Sequence, residues 1–308
     1  MPANPSTDLL VITAASGKQV AALLPQITNW KHLRLVVNSA SSEEKIKAAC
    51  PNAEVIKADL TNPSDCAKIL KDATVVYHIG PSFHPHETEI GYGMINAAVS
   101  EYKNGKFKHF VYSSVLNSQL RKLLNHDCKR FVEEYLFESG LPYTILQPTH
   151  FIDLFPVPKF VQEKGEEVTY EANWNPDIPF SFVALRDLGV AAKVVLEERE
   201  KHFLAMYPIV GTEKPMTYRE VCGTVGEVAG KKVVVKQRGF EEAVDLFSKL
   251  LFGEQAEGKR RDGLERLLLY YNRHGLVGNS NVLEWLIGRR PVGIEEWAER
   301  KRDEVLGK

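Results

Sequence analysis

The chain has 308 residues, enough to bury a sizeable core as one large domain or two unequal ones. Hydrophobic residues make up 44% and charged residues 26%, the balance of an ordinary soluble globular chain. The formal charge of −1 provides no field that would draw the chain to nucleic acid or an anionic membrane.

No apolar run approaches the roughly 20 residues of a membrane span. The opening "MPANPSTDLL" lacks the basic-then-apolar order of a secretory signal. Cys50, Cys66, Cys128 and Cys222 have neither metal-ligand nor disulfide-framework spacing. A reducing interior is therefore expected, cytoplasmic or nuclear.

In chain order, short β-branched runs predict buried parallel strands at "LLVITA" (9–14), "LRLVVN" (33–38), "EVIKAD" (54–59), "TVVYHIG" (74–80), "HFVYSS" (109–114) and "YTILQP" (143–148). Helical patterns lie between several of them. "PSDCAKIL" follows Asn62-Pro63, and "TEIGYGMINAAVSEY" sets Ile90, Met94, Ile95 and Ala98 on one face. "CKRFVEEYLFESG" sets Phe131, Val132, Tyr135 and Leu136 on a stripe and stops at Gly140. Alternating strand and helix predicts an α/β fold, a doubly wound parallel sheet with right-handed crossovers.

After Pro148 the rhythm changes. Residues 156–178 read as loop with one short strand, and "FSFVAL" and "RDLGVAAKVVLEE" read as a strand and helix returning to the sheet. From about 214 helices dominate: "TYREVCGTVGEVAG", "FEEAVDLFSKLLFG", "LERLLLYYNRHG" and "SNVLEWLIG". The expected division is a first domain over 1–155, with 179–212 returning to it, and a smaller, mainly helical subdomain over 156–178 and 213–308. That subdomain is expected over the C-terminal edge of the strands, where open α/β sheets bind ligands.

The turn after the first strand, "TAASGKQV", has the layout of a Rossmann-type phosphate loop with Gly17 alone of the usual three glycines. Backbone N–H groups at a helix start can hold a pyrophosphate, and glycines allow the tight turn and close approach. Ser16 and Gln19 can add hydrogen bonds, and Lys18 a charge. The plainer alternative is a strand–helix loop that needs one glycine for its geometry. "FHPHE", after the fourth strand, has no second ligand group at metal spacing and reads as loop histidines. "GKRRDGLERLLLYYNRHG" reads as an amphipathic helix packing inward, not as a nucleic-acid surface.

Taken together, "VITAASGKQV", "EVIKADLTNPSD", "TVVYHIGP", "KHFVYSSV", "LLNHDCKRFVEEYLFESGLPYTILQPTHF" and "RDLGVAAKVVL" resemble the NmrA-like family of atypical short-chain dehydrogenases. The tail "LLLYYNRHGLVGNSNVLEWLIGRRPVGIEEW" is similar to its fungal branch. The resemblance runs from about residue 8 to about 300 and implies a Rossmann domain that binds NADP or NAD, usually NADP. Members include reductases, redox-sensing regulators and tailoring enzymes of secondary metabolism.

Carried onto this chain, the resemblance implies a pyrophosphate turn from Thr13 through Ala15, Ser16, Gly17 and Lys18 to Gln19, departing from the family pattern at Ala14 and Val20. Asn38 stands where an Arg often takes the 2′-phosphate. A carboxamide brings no charge, which weakens the expectation of NADP over NAD. Asp59 and Leu60 match the pair that flanks adenine; the other reading of Asp59 is a cap for its own turn. Gly80 and Pro81 match the cofactor-lining end of the fourth strand, and Pro148 and Thr149 that of the sixth.

Related dehydrogenases use a Ser, a Tyr and a Lys, with the Tyr four residues before the Lys. Here Ser114 and Lys129 fill two of these positions, and Asn125 fills the Tyr position. A carboxamide does not titrate near neutral pH, so Asn125 cannot serve as the acid. His126, one turn from Lys129, is the alternative proton donor, with an ordinary pKa of about 6.5. Lys129 is expected on the nicotinamide ribose, or else at the surface paired with Glu133. His150, Phe151 and Tyr271 are expected to bind substrate, and no metal is expected.

Three functions follow from these readings. The first is an NAD(P)-dependent oxidoreductase or tailoring enzyme acting on a small, partly apolar organic molecule. The second is a non-catalytic NAD(P) redox sensor that docks on a regulatory protein partner. The third is a non-redox isomerase, cyclase or epoxide-opening enzyme that reuses the fold. Either a monomer or a homodimer is expected.

Overall fold

The computed structural model describes residues 2–307. The chain forms two compact units. One comprises Met1–Leu120, His126–Pro148 and Leu188–Pro208, and the other Arg121–Asn125, Thr149–Asp187 and Ile209–Lys308. No helix among the described residues is long and apolar enough to cross a membrane.

The first unit holds the expected strands, the sixth with the expected bounds, the second shifted by one residue and the others trimmed by one or two: β1 (Leu9–Ile12), β2 (His32–Val37), β3 (Glu54–Lys57), β4 (Val75–Ile79), β5 (His109–Ser113) and β6 (Tyr143–Pro148). A further strand, Ala205–Ile209, completes a seven-stranded sheet in the order 205–209, β6, β5, β4, β1, β2, β3. From β1 to β6 every neighbouring pair is parallel. β1 pairs with both β2 and β4, so the winding reverses between β1 and β4. In an open α/β sheet such a reversal leaves a crevice at the carboxyl ends of the strands. The strand 205–209 carries Pro208 and lies at the sheet's edge, where a missing N–H costs no ladder bond.

The crossover helices are α1 (Lys18–Leu23), α2 (Ala40–Ala49), α3 (Pro63–Leu70), α4 (Glu87–Lys103) and α5 (Leu124–Glu138). α3 starts as its sequence dictates, with Pro63 at the first position and the Asn62 side chain accepting from the Ser64 N–H. The sheet and helices bury one apolar cluster around Val11, Val76, Phe110, Met94, Val132 and Leu136. α5 is rotated from the expected stripe. Phe131 is exposed under the Arg130 guanidinium, and His126, Lys129 and Glu133 turn inward.

The second unit contains the expected helices at Tyr218–Ala229, Phe240–Phe252, Gly258–His274 and Asn281–Ile287, and a further one at Ile294–Leu306. Thr217 and Glu220 form a reciprocal capping box at the first of these. The stretch expected as loop with one short strand contains a strand, Glu167–Ala172, and in addition a helix, Val157–Gln162. That strand pairs in parallel with Lys232–Gln237. In place of one strand over "FSFVAL" there are two two-residue strands, Pro179–Phe180 and Phe182–Val183, the first beginning one residue earlier.

Candidate functional site

The turn after β1 is held by backbone hydrogen bonds, one to β2 and one within itself. The Ala15 N–H reaches Val36 O at 2.9 Å, and the Gly17 N–H reaches Ala14 O at 2.8 Å. Ala14 has φ of +52°. A Cβ at Gly17 would lie 3.0 Å from Ala14 O, so a side chain here would press on the turn's own carbonyl. Val20 is fully buried, and the tight approach to α1 comes from another glycine, since a Cβ on Gly189 would lie 2.7 Å from Ala22 O.

Within the turn, the side chains divide by direction. Ser16 and Gly17 face an open cleft, the Lys18 side chain is exposed, and Ala15 is buried. Thr13 and Gln19 brace strand ends. The Thr13 Oγ1 accepts from the Ile79 N–H at 2.8 Å and lies 3.1 Å from His78 Nδ1. The Gln19 Oε1 accepts from Ser113 Oγ at 2.8 Å.

The cleft, of about 390 Å³, lies at the carboxyl ends of β1 to β4. Such a volume suits a small-molecule or cofactor site. The turn supplies Ala14, Ser16 and Gly17; Asn38 comes from the end of β2, Asp59, Leu60 and Thr61 from β3, and Pro81 and His84 from β4. Its lining carries one carboxylate, Asp59, one imidazole, His84, and no lysine or arginine. Asp59 Oδ1 accepts from the Thr61 N–H at 2.9 Å and Thr61 Oγ1 at 2.7 Å. The residue therefore caps its turn while also lining the cleft, and the Thr61 bonds hold its carboxyl below the usual range.

Three side chains expected in catalysis each have an internal partner. Ser114 Oγ donates to Glu133, a buried carboxylate that also accepts from Ser118 Oγ at 2.6 Å and Gln147 Nε2 at 2.9 Å. Lys129 is buried rather than at the surface, and its ammonium pairs with Glu87, not Glu133. Gly80 borders this pair: a Cβ there would lie 3.7 Å from Glu87 Oε1 and 3.9 Å from Lys129 Nζ. His126 is fully buried and faces Asn117 O through Nδ1 at 3.1 Å. A carbonyl only accepts, so the proton sits on Nδ1. Burial lowers the His126 pKa to about 4 against the opposing Asn117 bond, so the ring is neutral at neutral pH and carries no imidazolium proton to give. Asn125 Oδ1 is buried and accepts no hydrogen bond from the described residues. Pro148 is buried at the end of β6, its carbonyl accepting from the Leu116 N–H at 2.9 Å.

In the second unit Thr149 donates its hydroxyl to Ser181 O at 3.0 Å. Phe151 pairs with Val183 between two short parallel strands, and beside it His150 enters an aromatic cluster. The His150 ring stacks on Phe180 at 4.7 Å and meets the edge of Tyr271 at 4.9 Å. Trp174 closes on both His150 and Tyr271, and its indole Nε1 is buried without an acceptor among the described residues. Burial raises the Tyr271 hydroxyl pKa above its ordinary value. His150 and Tyr271, 121 positions apart in sequence, thus share one apolar cluster.

Trp174 carries no signal in the sequence; His84, read as a loop histidine of "FHPHE", lines the cleft, Glu87 closes that same segment without an assigned role, and Glu133 is expected only as a partner for Lys129. Glu133 had a local signal, one helical turn beyond Lys129. Glu87 meets Lys129 across 42 positions, and no spacing rule points to it.

The model of the NmrA-like family matches residues 6–298. The chain belongs to the NmrA-like family. No curated protein sequence matches this NmrA-like chain. Among solved structures it is similar to an NADPH-dependent quinone oxidoreductase from Escherichia coli complexed with NADPH, with a TM-score of 0.75 and 18% identity over 95% of this chain and 99% of that one. A triphenylmethane reductase from Citrobacter sp., complexed with NADP(H), gives a TM-score of 0.74 and 19% identity over 96% and 99%. NmrA, a negative transcriptional regulator, in complex with NADP gives 0.74 and 17% over 98% and 99%. At these identities the likeness is one of fold, and the fold is shared by reductases and a regulator alike.

Proposed function

We propose that this NmrA-like chain binds NAD(P) in the β1–β4 cleft and acts as an oxidoreductase on a small, partly apolar organic substrate. The observation that carries the reading is the cleft itself. It sits at the winding reversal of a parallel sheet, is bordered by a turn in which a Cβ at Gly17 would crowd the Ala14 carbonyl, and is lined by Asn38, Asp59 and Leu60 from successive strand ends. Family membership and three structural relatives complexed with NADPH or NADP support the same ligand. The dinucleotide, when bound, supplies hydride chemistry. Ser16 would hold its pyrophosphate where Gly17 leaves the close approach open, Asn38 a ribose hydroxyl, and Asp59 the adenine amine. With no lysine or arginine in the lining, a 2′-phosphate gains no partner charge, so NAD(H) should bind at least as tightly as NADP(H).

The test is calorimetric titration of NADPH, NADP, NADH and NAD into wild type and Gly17→Val, followed by reduced-cofactor consumption on a panel of quinones, enones and ketones. Stoichiometric binding that weakens at least tenfold in Gly17→Val, about 1.4 kcal/mol, together with turnover on the panel, is expected. Absence of binding would overturn the reading.

One observation favours a second reading, a redox sensor that binds NAD(P) without turnover. The Tyr position is Asn125, and its neighbour His126 is buried and neutral, so no titrating proton donor replaces the Tyr in this helix. Binding without consumption across the panel, with a partner protein retained in only one cofactor redox state, would decide for it.

A further inference from the structure

The Lys129 ammonium leaves most of its hydrogen-bonding capacity unused. Its side chain is 6% exposed and that of its partner Glu87 1%, so the pair is nearly sealed from water. An ammonium carries three N–H donors. Glu87 takes one, and the other two meet no acceptor among the described residues. Buried polar groups find partners in the protein, in ordered water or in a ligand, so the two spare donors point to an occupant. The pair itself is firmly held. Glu87 is an acid in the first turn of α4, where the helix dipole favours it. Its Oε1 accepts from Lys129 and its Oε2 from the Phe83 N–H at 3.0 Å. Phe83 makes that bond at φ of +64°, a left-handed conformation that a bulky side chain rarely takes and that persists only where contacts over-determine it. Both carboxylate oxygens are thus committed, and the long Lys129 side chain is pinned at its tip.

Gly80 lies against this pair at the end of β4. It is half-buried and sits between Ile79 and Pro81, which both line the cleft. Its φ is not positive. An added Cβ would meet nothing nearer than Glu87 Oε1 at 3.7 Å and Lys129 Nζ at 3.9 Å, both ordinary contacts. The chain's own conformation therefore does not require glycine here. What the missing side chain supplies is open space in front of the ion pair.

We propose that Glu87 is a positioning residue for ligand binding: it fixes the Lys129 ammonium behind Gly80, where the absent side chain opens the two spare N–H groups to the vicinal hydroxyls of a ribose. Because the carboxylate cancels the ammonium's charge, the pair acts by hydrogen bonding and not as an anion trap. This rests on the NAD(P) reading and on Lys129 as the ribose-binding group that the family resemblance implies; Glu87 and Gly80 are what it adds. The test is calorimetric titration of ADP-ribose and ADP, which differ by the ribose that would carry the nicotinamide, into wild type, Gly80→Ala and Glu87→Gln. Wild type is expected to bind ADP-ribose at least about tenfold more tightly than ADP, the worth of one or two well-made hydrogen bonds. Gly80→Ala should keep the wild-type Tm, since its methyl meets only ordinary contacts, yet bring that ratio to within about twofold of one. Glu87→Gln should lower the ratio as well, by releasing the ammonium from its place. A merely structural Glu87 would lower Tm in Glu87→Gln and leave the ratio at its wild-type value, which would remove the assignment. An undiminished ratio in Gly80→Ala, or a wild-type ratio near one, would also remove it, and each of these outcomes leaves the cofactor reading standing. A wild type that binds neither ADP-ribose nor NADH would remove the cofactor reading, and the assignment with it.

Discussion

Ala14, at φ +52°, occupies a region that costs an L-residue about 1–2 kcal/mol and a glycine almost nothing. Part of that difference is returned, because glycine loses about 0.5–1 kcal/mol more backbone entropy on folding. Ala14→Gly should therefore raise stability modestly, by up to about 1 kcal/mol, read as an upward shift of Tm. Because Ala14 contributes no polar side chain to the cleft, dinucleotide affinity should be retained or improved. A lower Tm in Ala14→Gly would mean that the turn is not left-handed in solution. At this scale the sequence was informative where a residue meets its own turn: Gly17, in ordinary extended backbone, was legible as the glycine whose Cβ would crowd the Ala14 carbonyl. It was uninformative where two groups meet from afar. Asp59 allowed two readings, and the structure has its carboxylate bonded to Thr61 and also bordering the cleft.

α4 and α5 are joined by one buried ion pair, Glu87 with Lys129. Removing one partner of such a pair leaves the other charge uncompensated, at a cost of about 3–5 kcal/mol, while replacing both can be nearly neutral. Lys129→Met should therefore unfold at markedly lower denaturant concentration. Glu87→Gln with Lys129→Met should recover most of the loss, with a coupling energy of about 2 kcal/mol or more in the double-mutant cycle. Additive losses would show that the two side chains are not paired. The same helices show what periodicity can and cannot deliver. The stripe through Val132 and Leu136 was legible because apolar spacing marks a buried face. The inward turn of Lys129 and Glu133 was not, since charged residues read as solvent-facing until their partners are known. Strand existence followed the same logic: six β-branched runs became β1 to β6. The runs 205–209 and 232–237, interrupted by Pro208 or flanked by lysines, carried too weak a pattern.

Over the whole molecule, the titration of buried histidines dominates the expected response to acid. Burial lowers the pKa of His78 and His109 to about 3 and that of His126 to about 4. The positive charges of Lys129 beside His78 and Arg199 beside His109 add to that effect. In the unfolded chain each imidazole titrates near its ordinary value of about 6.5. Below that pH the unfolded state binds protons that the folded state refuses, so the unfolded state gains ground as acidity rises. The stabilisation from keeping these rings neutral is complete above about pH 6.5 and is lost as the pH falls toward 4 and 3. Each ring contributes a slope of up to about 1.4 kcal/mol per pH unit, so three together approach about 4 kcal/mol per unit. Exposed carboxylates held low, such as Asp59 and Asp72, act in the same direction but only near and below their ordinary range of about 4. Denaturant-derived stability should therefore be level between about pH 7 and 8 and fall steeply between about 6 and 4.5, with an uptake of nearly three protons on unfolding. His109→Asn, at a site remote from the proposed cleft, should reduce that uptake by one whatever it does to absolute stability. A level profile through pH 5 would mean that these rings reach solvent in the folded chain and that the sheet's interior is wetter than its packing implies.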